Sequence, residues 1–322
     1  MHATTGERDL RKILATAAGA LLAVTAAVLT APSAAQAAGA PTGFHVSDGH
    51  LLDANGNDFV LRGVNHAHTW YTTRTPQALK GIKALGANSV RVVLSTGDQW
   101  TRNDTADVAA VVEQCKASRL ICVLEAHNTT GYGEAVAAVP LSRAVDHWRG
   151  IKSAVEGQEK RIILNLGNEP VGNTGYEKWT YGTADAIKSI WIAGFRHTNM
   201  VDAPNWVQDW SGTMRRDAAG VFASDPDKNT VFSIHMYGVY DAAVEVQDYL
   251  NGFVAQKLPI VVGEFGDAHS DGNPTRTRTW RLPSSWESAT WVGPGVETAA
   301  GPSTWTWPPT STSAAKRSRP CP

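Results

Sequence analysis

The first clear pattern in the chain is an alternation of apolar and polar residues over positions 44–65, "FHVSDGHLLDANGNDFVLRGVN". Two dipeptides interrupt it, Asp48-Gly49 and Asn55-Gly56, and both are typical of tight turns between antiparallel strands. We therefore predict a β-hairpin at the start of the folded region.

After the hairpin, short apolar runs alternate with segments of helical periodicity. The seven runs are "FVLRGVN", "SVRVVLS", "LICVLEAHN", "RIILNLGNEP", "NMVDAP", "TVFSIHMYG" and "PIVVGEFGD". Between them lie helical patterns such as "TPQALKGIKALG", which should stop at Gly86, and "DTADVAAVVEQCKASR", with Asp104 as its N-cap. This alternation predicts an α/β fold, a (β/α)8 TIM barrel rather than an open doubly wound sheet. No glycine-rich dinucleotide fingerprint follows the first strand, which also disfavours the open sheet.

The repeating pattern stops after residue 274, where an eighth strand should follow. Residues 275–322 contain five Trp and a single Leu, but no Asp, Ile, Phe or Tyr. Three interpretations compete: a Pro/Thr linker, a fragment of a Trp-rich carbohydrate-binding module, and an out-of-frame translation of the end of the barrel. We favour the last, because the composition changes abruptly in mid-barrel. We accordingly predict no normal eighth strand and helix in this tail.

The N-terminal segment has the pattern of a secretory signal peptide. Arg8, Arg11 and Lys12 precede the apolar run "ILATAAGALLAVTAAVLT", and small residues in "APSAAQA" follow it, with a cleavage site after Ala37. The alternative is an anchored transmembrane helix. We predict a signal peptide at 1–37, a catalytic barrel at 38–274 and the aberrant tail at 275–322, with the mature protein secreted.

Net charge and composition limit which classes of ligand the protein is expected to bind. A formal net charge of −1 gives no reason to expect nucleic acid or an anionic membrane, whereas 12 Trp suit flat ligands such as sugars. Cys115 and Cys122 fall near the end of one predicted helix and the start of the next strand, where they could face each other. A disulfide and a pair of buried free thiols are equally open, and no cysteine spacing resembles a zinc site.

Polar residues gather at the carboxyl ends of the predicted strands, where barrel enzymes build their active sites. They include Asn65, His66, His68, Trp70, Arg91, His127, Asn168, Glu169, Trp206, Trp210, His235, Tyr237 and Glu264. Glu169 and Glu264 end the fourth and seventh strands, which lie across the mouth of a closed barrel. Two such carboxylates are the equipment for glycosidic bond hydrolysis. Arg91 would keep Glu264 ionised, and the Tyr237 phenol would donate a hydrogen bond to it.

The motifs "RGVNHAH", "VRVVLS", "LEAHN", "NLGNEP", "IHMYG" and "VVGEFGD", in this order and spacing, resemble glycoside hydrolase family 5, and especially its secreted bacterial endo-β-1,4-mannanases. The resemblance spans about residues 43–273. It implies a retaining mechanism with Glu169 as general acid/base and Glu264 as nucleophile. It also implies that Asn168 bonds the sugar 2-hydroxyl, and that Arg91, His127, His235 and Tyr237 line the central subsite. Trp70, Trp206 and Trp210 are expected to bind the polymer at the rim, the alternative being that they pack within loops.

Two departures from the family pattern stand out. The family's eighth strand, ending in a Trp, is not recognisable, and Val207 stands where relatives usually have Gly. The expected substrate is mannan, galactomannan or glucomannan, with no cofactor, no metal, no nucleic acid or membrane partner, and a monomeric enzyme. Because residue spacing does not separate an axial from an equatorial 2-hydroxyl, a cellulase is the alternative. More distant alternatives are an inactive carbohydrate-binding barrel and a metal-dependent barrel hydrolase using His66, His68, His127 and His235.

Overall fold

The computed structural model describes residues 43–266 and the strand Thr290–Val292. In chain order these residues form β1 (His45–Ser47), β2 (His50–Leu52), β3 (Arg62–His66), α1 (Thr75–Ala84), β4 (Ser89–Leu94), α2 (Thr105–Ser118), β5 (Ile121–Ala126), α3 (Leu141–Gly150), α4 (Lys152–Val155), β6 (Ile162–Asn165), α5 (Trp179–Ile192), β7 (Asn199–Asp202), α6 (Thr213–Ser224), β8 (Thr230–Met236), α7 (Ala243–Ala255), β9 (Ile260–Phe265) and β10 (Thr290–Val292).

Strands β3 to β10 form a closed barrel of parallel strands, arranged around it in the order of the chain. The register places Glu125 of β5 beside Asn165 of β6, and His235 of β8 beside Glu264 of β9. The predicted (β/α)8 barrel is therefore confirmed.

We predicted that the tail would supply no normal eighth strand and helix, and the strand part of that prediction is wrong, because Thr290–Val292 takes the eighth place in the barrel. This three-residue strand closes the barrel by pairing with Arg62, Gly63 and Val64 of β3, and Thr290 also pairs with Val262 of β9. Sequence patterning missed it because three residues are too short to show a period of two. The predicted absence of a regular helix after it, and the proposed change of reading frame, lie outside the described residues.

The inner surface of the barrel divides into two layers. Side chains alternate along each strand, so on β5 Cys122 and Leu124 pack under the helices while Val123 and Glu125 occupy the inward positions. We call the lower inward layer the apolar base: Leu61, Val123, Ile163, Met200, Val231 and Val261, covered from below by Phe44 and Leu51. We call the upper one the polar layer: Asn65, Arg91, Glu125, Asn165, Asp202 and His235.

Local sequence signals were reliable around the barrel. The predicted hairpin forms between β1 and β2, with Asp48 and Gly49 both at positive φ (50° and 86°) in its turn. Helix α2 begins where predicted, because the Asp104 carboxylate accepts a hydrogen bond of 2.9 Å from the Asp107 amide.

The open question about the cysteines is settled in favour of the disulfide. Cys115 at the end of α2 and Cys122 at the start of β5 are joined, with their Cα atoms 6.3 Å apart. Across the described part of the chain, no helix has both the length and the apolar character needed to cross a bilayer. The predicted signal peptide at residues 1–37 lies outside the described residues.

Candidate active site

Arg91 is the centre of the polar layer. Its side chain is completely buried, and its guanidinium donates to Glu264 Oε1 (2.8 Å), Asn168 Oδ1 (2.7 Å) and Asn165 Oδ1 (2.9 Å). Burial alone would lower the pKa of Arg91, but the surrounding carboxylates, led by Glu125, outweigh it and raise that pKa above its ordinary value. Arg91 is therefore a fixed cation that orients the side chains of Glu264, Asn168 and Asn165 at the upper end of the barrel.

Glu264, near the end of β9, is held from two sides. Arg91 donates to one of its carboxylate oxygens, and the Tyr237 phenol donates to the other at 2.9 Å. Both contacts were predicted from the sequence. Burial, and next the negative charge of Glu264, raise the pKa of Tyr237 well above its ordinary value, so the phenol keeps its proton. Gly263 allows the approach of β8, since a Cβ there would meet the His235 ring and the Ser233 hydroxyl.

Glu169 follows β6 and has an unusual backbone. Its φ of 41° lies in the left-handed region that few residues other than glycine adopt. The Glu169 amide donates to Asp202 Oδ2 at 3.2 Å, its carbonyl accepts from the Gly131 amide at 2.8 Å, and its side chain meets His235 Nδ1 at 3.1 Å. Burial first, and then the charges of Glu264 and Asp202, raise the pKa of Glu169 well above its ordinary value.

The two glutamates face each other at close range. One oxygen of Glu169, one oxygen of Glu264 and a ring nitrogen of His235 all lie within 4.8 Å of one another. At least one oxygen of each carboxylate thus lies within 4.8 Å of the other, a close approach that favours the retaining arrangement over the wider one that leaves room for a water. Their side chains are 15% and 14% exposed, whereas those of Arg91, Asp202 and His235 are fully buried. A ligand in the cleft can therefore touch both carboxylates directly.

The histidines of the metal-dependent alternative do not converge. His66 and His68 both contact the Thr75 hydroxyl, at 2.8 and 2.6 Å, and His127 Nδ1 pairs with Glu125 Oε1 at 2.8 Å. Within the described residues, the one group of three potential metal ligands is Glu169, His235 and Glu264. There the Arg91 guanidinium already pairs with Glu264 at 2.8 Å, so a metal ion would have to compete with a buried cation for that carboxylate.

Asn168 and His127 follow β6 and β5 at the same end of the barrel as the two glutamates. The Asn168 side chain is fixed at both ends, accepting from Arg91 and donating to the Thr130 hydroxyl at 2.9 Å. His127 is buried, and its pairing with Glu125 through Nδ1 fixes the orientation of its ring. Both residues were predicted at this end of the barrel, and the structure brings both to it.

The three tryptophans predicted at the rim differ from one another. Trp70 is partly buried, with its ring edge-on to Trp100 (4.9 Å) and His127 (5.2 Å). Trp206 is also partly buried, and its Nε1 donates to Glu134 at 2.9 Å. Trp210 is 48% exposed. Trp70 thus lies beside the central residues, and Trp210 presents the open aromatic surface.

Val207 lies in a strained loop after β7 that contacts His235 of the polar layer. Asn205, Trp206 and Val207 all have positive φ, which a β-branched residue tolerates poorly and glycine readily. The Val207 side chain is fully buried, and its carbonyl accepts from the His235 amide at 2.8 Å. The loop therefore helps to position His235.

Three residues of the polar layer were not identified as site residues from the sequence: Glu125, Asn165 and Asp202. Asn165 connects Arg91 to Asp202, donating to Asp202 Oδ1 at 3.0 Å, and Glu125 fixes His127. The signal that could have found them is a lone polar residue at an inward position of an otherwise apolar run, as in "LICVLEA" and "NMVDA".

Comparison with known proteins identifies the family. The model of "Cellulase (glycosyl hydrolase family 5)" matches residues 52–310, most of the chain. The chain belongs to glycosyl hydrolase family 5. The resemblance inferred from the motifs is thereby confirmed, together with the barrel fold.

Within family 5, the chain is similar to enzymes named for mannan. It is 57% identical over 270 residues to a mannan endo-1,4-beta-mannosidase of Streptomyces lividans, covering 83% of this chain and 70% of the relative. It is 48% identical over 269 residues to one of Cellvibrio japonicus, covering 83% and 60%. A crystal structure of the β-mannanase of Streptomyces thermolilacinus with mannohexaose matches at a TM-score of 0.76 and 52% identity, covering 78% of this chain and 83% of that one.

Proposed function

We propose that this protein is an endo-acting, retaining β-1,4-mannanase that uses Glu169 and Glu264. The observation that supports it most is the close pair of carboxylates in unlike surroundings. Glu264 accepts from Arg91 and Tyr237, whereas burial and like charge raise the pKa of Glu169. Glu264 is thus held by two donors, as a nucleophile must be, and Glu169 is in surroundings that favour its protonated form, as glycoside hydrolysis requires of the acid.

In the first step, a Glu264 oxygen attacks the anomeric carbon of the sugar, and the bond from that carbon to the glycosidic oxygen breaks. Glu169 gives its proton to the departing oxygen, so the leaving chain departs as a neutral alcohol. The result is a glycosyl ester on Glu264, and Glu169 is left as a carboxylate.

In the second step, Glu169 takes a proton from a water molecule as the oxygen of that water attacks the same anomeric carbon. The ester bond to Glu264 breaks, Glu264 becomes a carboxylate again, and Glu169 recovers its proton. Two displacements at one carbon give a product of the same anomeric configuration as the substrate.

The surrounding residues support these steps. Arg91 and Tyr237 hold the Glu264 carboxylate in place before attack, and Arg91 also fixes the Asn168 amide beside Glu169. We propose that Asn168 bonds the sugar 2-hydroxyl, that His127 borders the central subsite, and that Trp70, Trp206 and Trp210 contact the polymer. Fixing these groups before the substrate arrives lowers the cost of reaching the transition state.

Mannan is proposed as the substrate because the similar proteins are named for it, and cellulose is the second candidate because the family description is that of a cellulase. The test is hydrolysis of linear β-1,4-mannan and of soluble cellulose by the purified protein, with products separated by size over time. We expect mannan to give a mixture of short oligosaccharides early, and cellulose to react much more slowly. Faster hydrolysis of cellulose would contradict the mannan assignment, and binding without hydrolysis would favour the inactive barrel.

We also propose that the enzyme acts outside the cell, as a monomer. The basic and then apolar N-terminal segment supports secretion, and the Cys115–Cys122 disulfide fits an oxidising compartment. Detecting the processed enzyme in the culture medium of an expressing bacterium tests secretion, and its retention with the cells would contradict it.

A further inference from the structure

We infer that Asp202 is a positioning residue for the acid/base Glu169, fixing its backbone and so placing its carboxyl group for proton transfer to the leaving oxygen. The inference rests on the proposed function. Asp202 ends β7 and is fully buried, so it does not itself meet the substrate.

Asp202 contacts Glu169 directly and also contacts residues that surround it. Its Oδ2 accepts from the Glu169 amide at 3.2 Å and lies 3.4 Å from the Arg91 guanidinium, while Oδ1 accepts from the Asn165 side chain at 3.0 Å. The same Oδ2 lies 3.7 Å from His235 Nε2, and the other ring nitrogen of His235 contacts Glu169 Oε1. Asp202 therefore holds the Glu169 backbone by a direct hydrogen bond and lies within ion-pair distance, though not hydrogen-bond distance, of the imidazole that contacts the Glu169 carboxyl group.

The backbone contact matters because Glu169 is in a costly conformation. A residue other than glycine is strained in the left-handed conformation, and it persists there only when its surroundings enforce it. Here two hydrogen bonds enforce it, from the Glu169 amide to Asp202 and from the Gly131 amide to the Glu169 carbonyl. Without the first, the peptide before Glu169 is free to rotate and the carboxyl group moves away from the glycosidic oxygen.

The charge of Asp202 acts on the proton of Glu169. The charged and titratable groups that face Glu169 from the neighbouring strands are Arg91 on β4, Glu125 on β5, Asp202 on β7, His235 on β8, Tyr237 after β8 and Glu264 on β9. Glu264, Asp202 and Glu125 favour the neutral acid, and Arg91 opposes them. Both Glu264 and Asp202 therefore act while Glu169 still holds its proton, before Glu264 attacks the sugar, with the charge of Glu264 contributing more than that of Asp202.

The test is Asp202→Asn, which keeps the size of the side chain and removes its charge. Rate falls with rising pH as Glu169 loses its proton, and without Asp202 that loss occurs at lower pH. We therefore expect the falling limb of kcat/KM on mannan to move to lower pH by about half a unit or more, with a loss of about 10–100-fold near neutrality. On 2,4-dinitrophenyl β-mannobioside, whose leaving group needs no proton, the loss in kcat/KM should be less than about 3-fold.

Asp209→Asn is the matched control. Asp209 is also a buried aspartate, but it accepts from the Met214 and Arg215 amides and the Tyr249 phenol, at the start of α6. Its loss should lower thermal stability and leave the pH profile unchanged. If Asp202→Asn does not fold, Asp202→Glu replaces it, which should keep the falling limb in place but still lose rate through the displaced contact with Glu169.

An unshifted falling limb in Asp202→Asn, or equal losses on mannan and on the activated substrate, would overturn the inference. So would wild-type rates in Asp202→Glu. Failure of the proposed function looks different, because the wild-type protein would then hydrolyse neither mannan nor the activated mannobioside.

Discussion

The apolar base and the polar layer share several strands, and on β5, β6 and β7 their residues lie two positions apart, yet the two layers do opposite things. On β7, Met200 lies in the base and Asp202 in the layer, and on β6, Ile163 and Asn165 are related in the same way. The base is packed from below by Phe44 and contains no charged group, whereas the layer surrounds one buried arginine with carboxylates and amides.

The difference shows how a barrel separates stability from chemistry. Apolar burial in the base contributes favourable free energy without cost, while each buried charge in the layer must be offset by a partner. The layer therefore depends on correct pairing, which anchors Glu264. Burial first, and then the charges of Glu264 and Asp202, raise the pKa of Glu169. Substitutions in the polar layer should therefore mainly lower activity, and substitutions in the apolar base should mainly lower stability.

The largest expected effect comes from the top of the barrel. Glu264→Ala should reduce kcat on mannan by more than about 10⁴-fold while the protein stays folded, because the nucleophile is gone. Added azide should restore part of the rate by attacking the anomeric carbon from the vacated side. The exposed Glu113, paired with Lys116 on α2, provides the control, since Glu113→Ala should keep full activity. If Glu264→Ala retained most of the wild-type rate, the two-carboxylate assignment would be wrong.

In the apolar base, Met200→Ala should lower stability and leave activity nearly unchanged. Met200 is fully buried, and its truncation should lower the free energy of unfolding by about 2–5 kcal/mol through lost burial and a cavity. Urea unfolding measures this, and kcat/KM of the folded variant should stay within about 3-fold of wild type. A pH profile shifted as in Asp202→Asn would show that the two layers are not separable.

A smaller effect is expected at the rim. Trp210→Ala should raise KM on long mannans by about 2–10-fold with kcat unchanged, the size of one aromatic contact. Trp206→Ala should raise KM and also lower the melting temperature, because Trp206 is partly buried and donates to Glu134. If Trp210→Ala instead unfolds the protein and leaves KM as it was, the ring is a packing element and not a binding one.

The smallest expected effect is a gain of stability when the Glu169 carboxyl group is replaced by an amide. The folded-state pKa of Glu169 lies above its unfolded value, so its contribution to stability is full at pH below the unfolded pKa and is lost as pH rises through the raised one. Glu169→Gln carries no charge and should therefore melt higher than wild type, by a few degrees and more so at higher pH. Equal melting temperatures across pH would mean that the ionised carboxylate is not destabilising there.

How much the sequence predicts depends on the range of the interaction. The hairpin, the cap at Asp104 and the stop near Gly86 were predicted because neighbouring residues determine them. Glu169 and Glu264 were found because each ends a strong apolar strand. Asp202 and Glu125 were missed because their importance comes from register across the barrel, which brings distant strands together.

Strand β10 and the disulfide show the same limit. Thr290–Val292 pairs with residues more than 200 positions earlier, and nothing in three residues indicates that partner. The spacing of Cys115 and Cys122 allowed a bond without deciding it, since the decision depends on how α2 packs on β5. The predicted signal peptide and the predicted change of reading frame remain predictions.

The central claim is that Glu264 attacks the sugar and Glu169 protonates the leaving oxygen, so that configuration is retained. The most direct test is proton NMR of the anomeric signals during the first minutes of mannohexaose hydrolysis, before the products mutarotate. We predict that new reducing ends appear first as the β-anomer and only later equilibrate with the α-anomer. Initial appearance of the α-anomer would mean direct attack by water, and it would contradict the roles assigned to both glutamates.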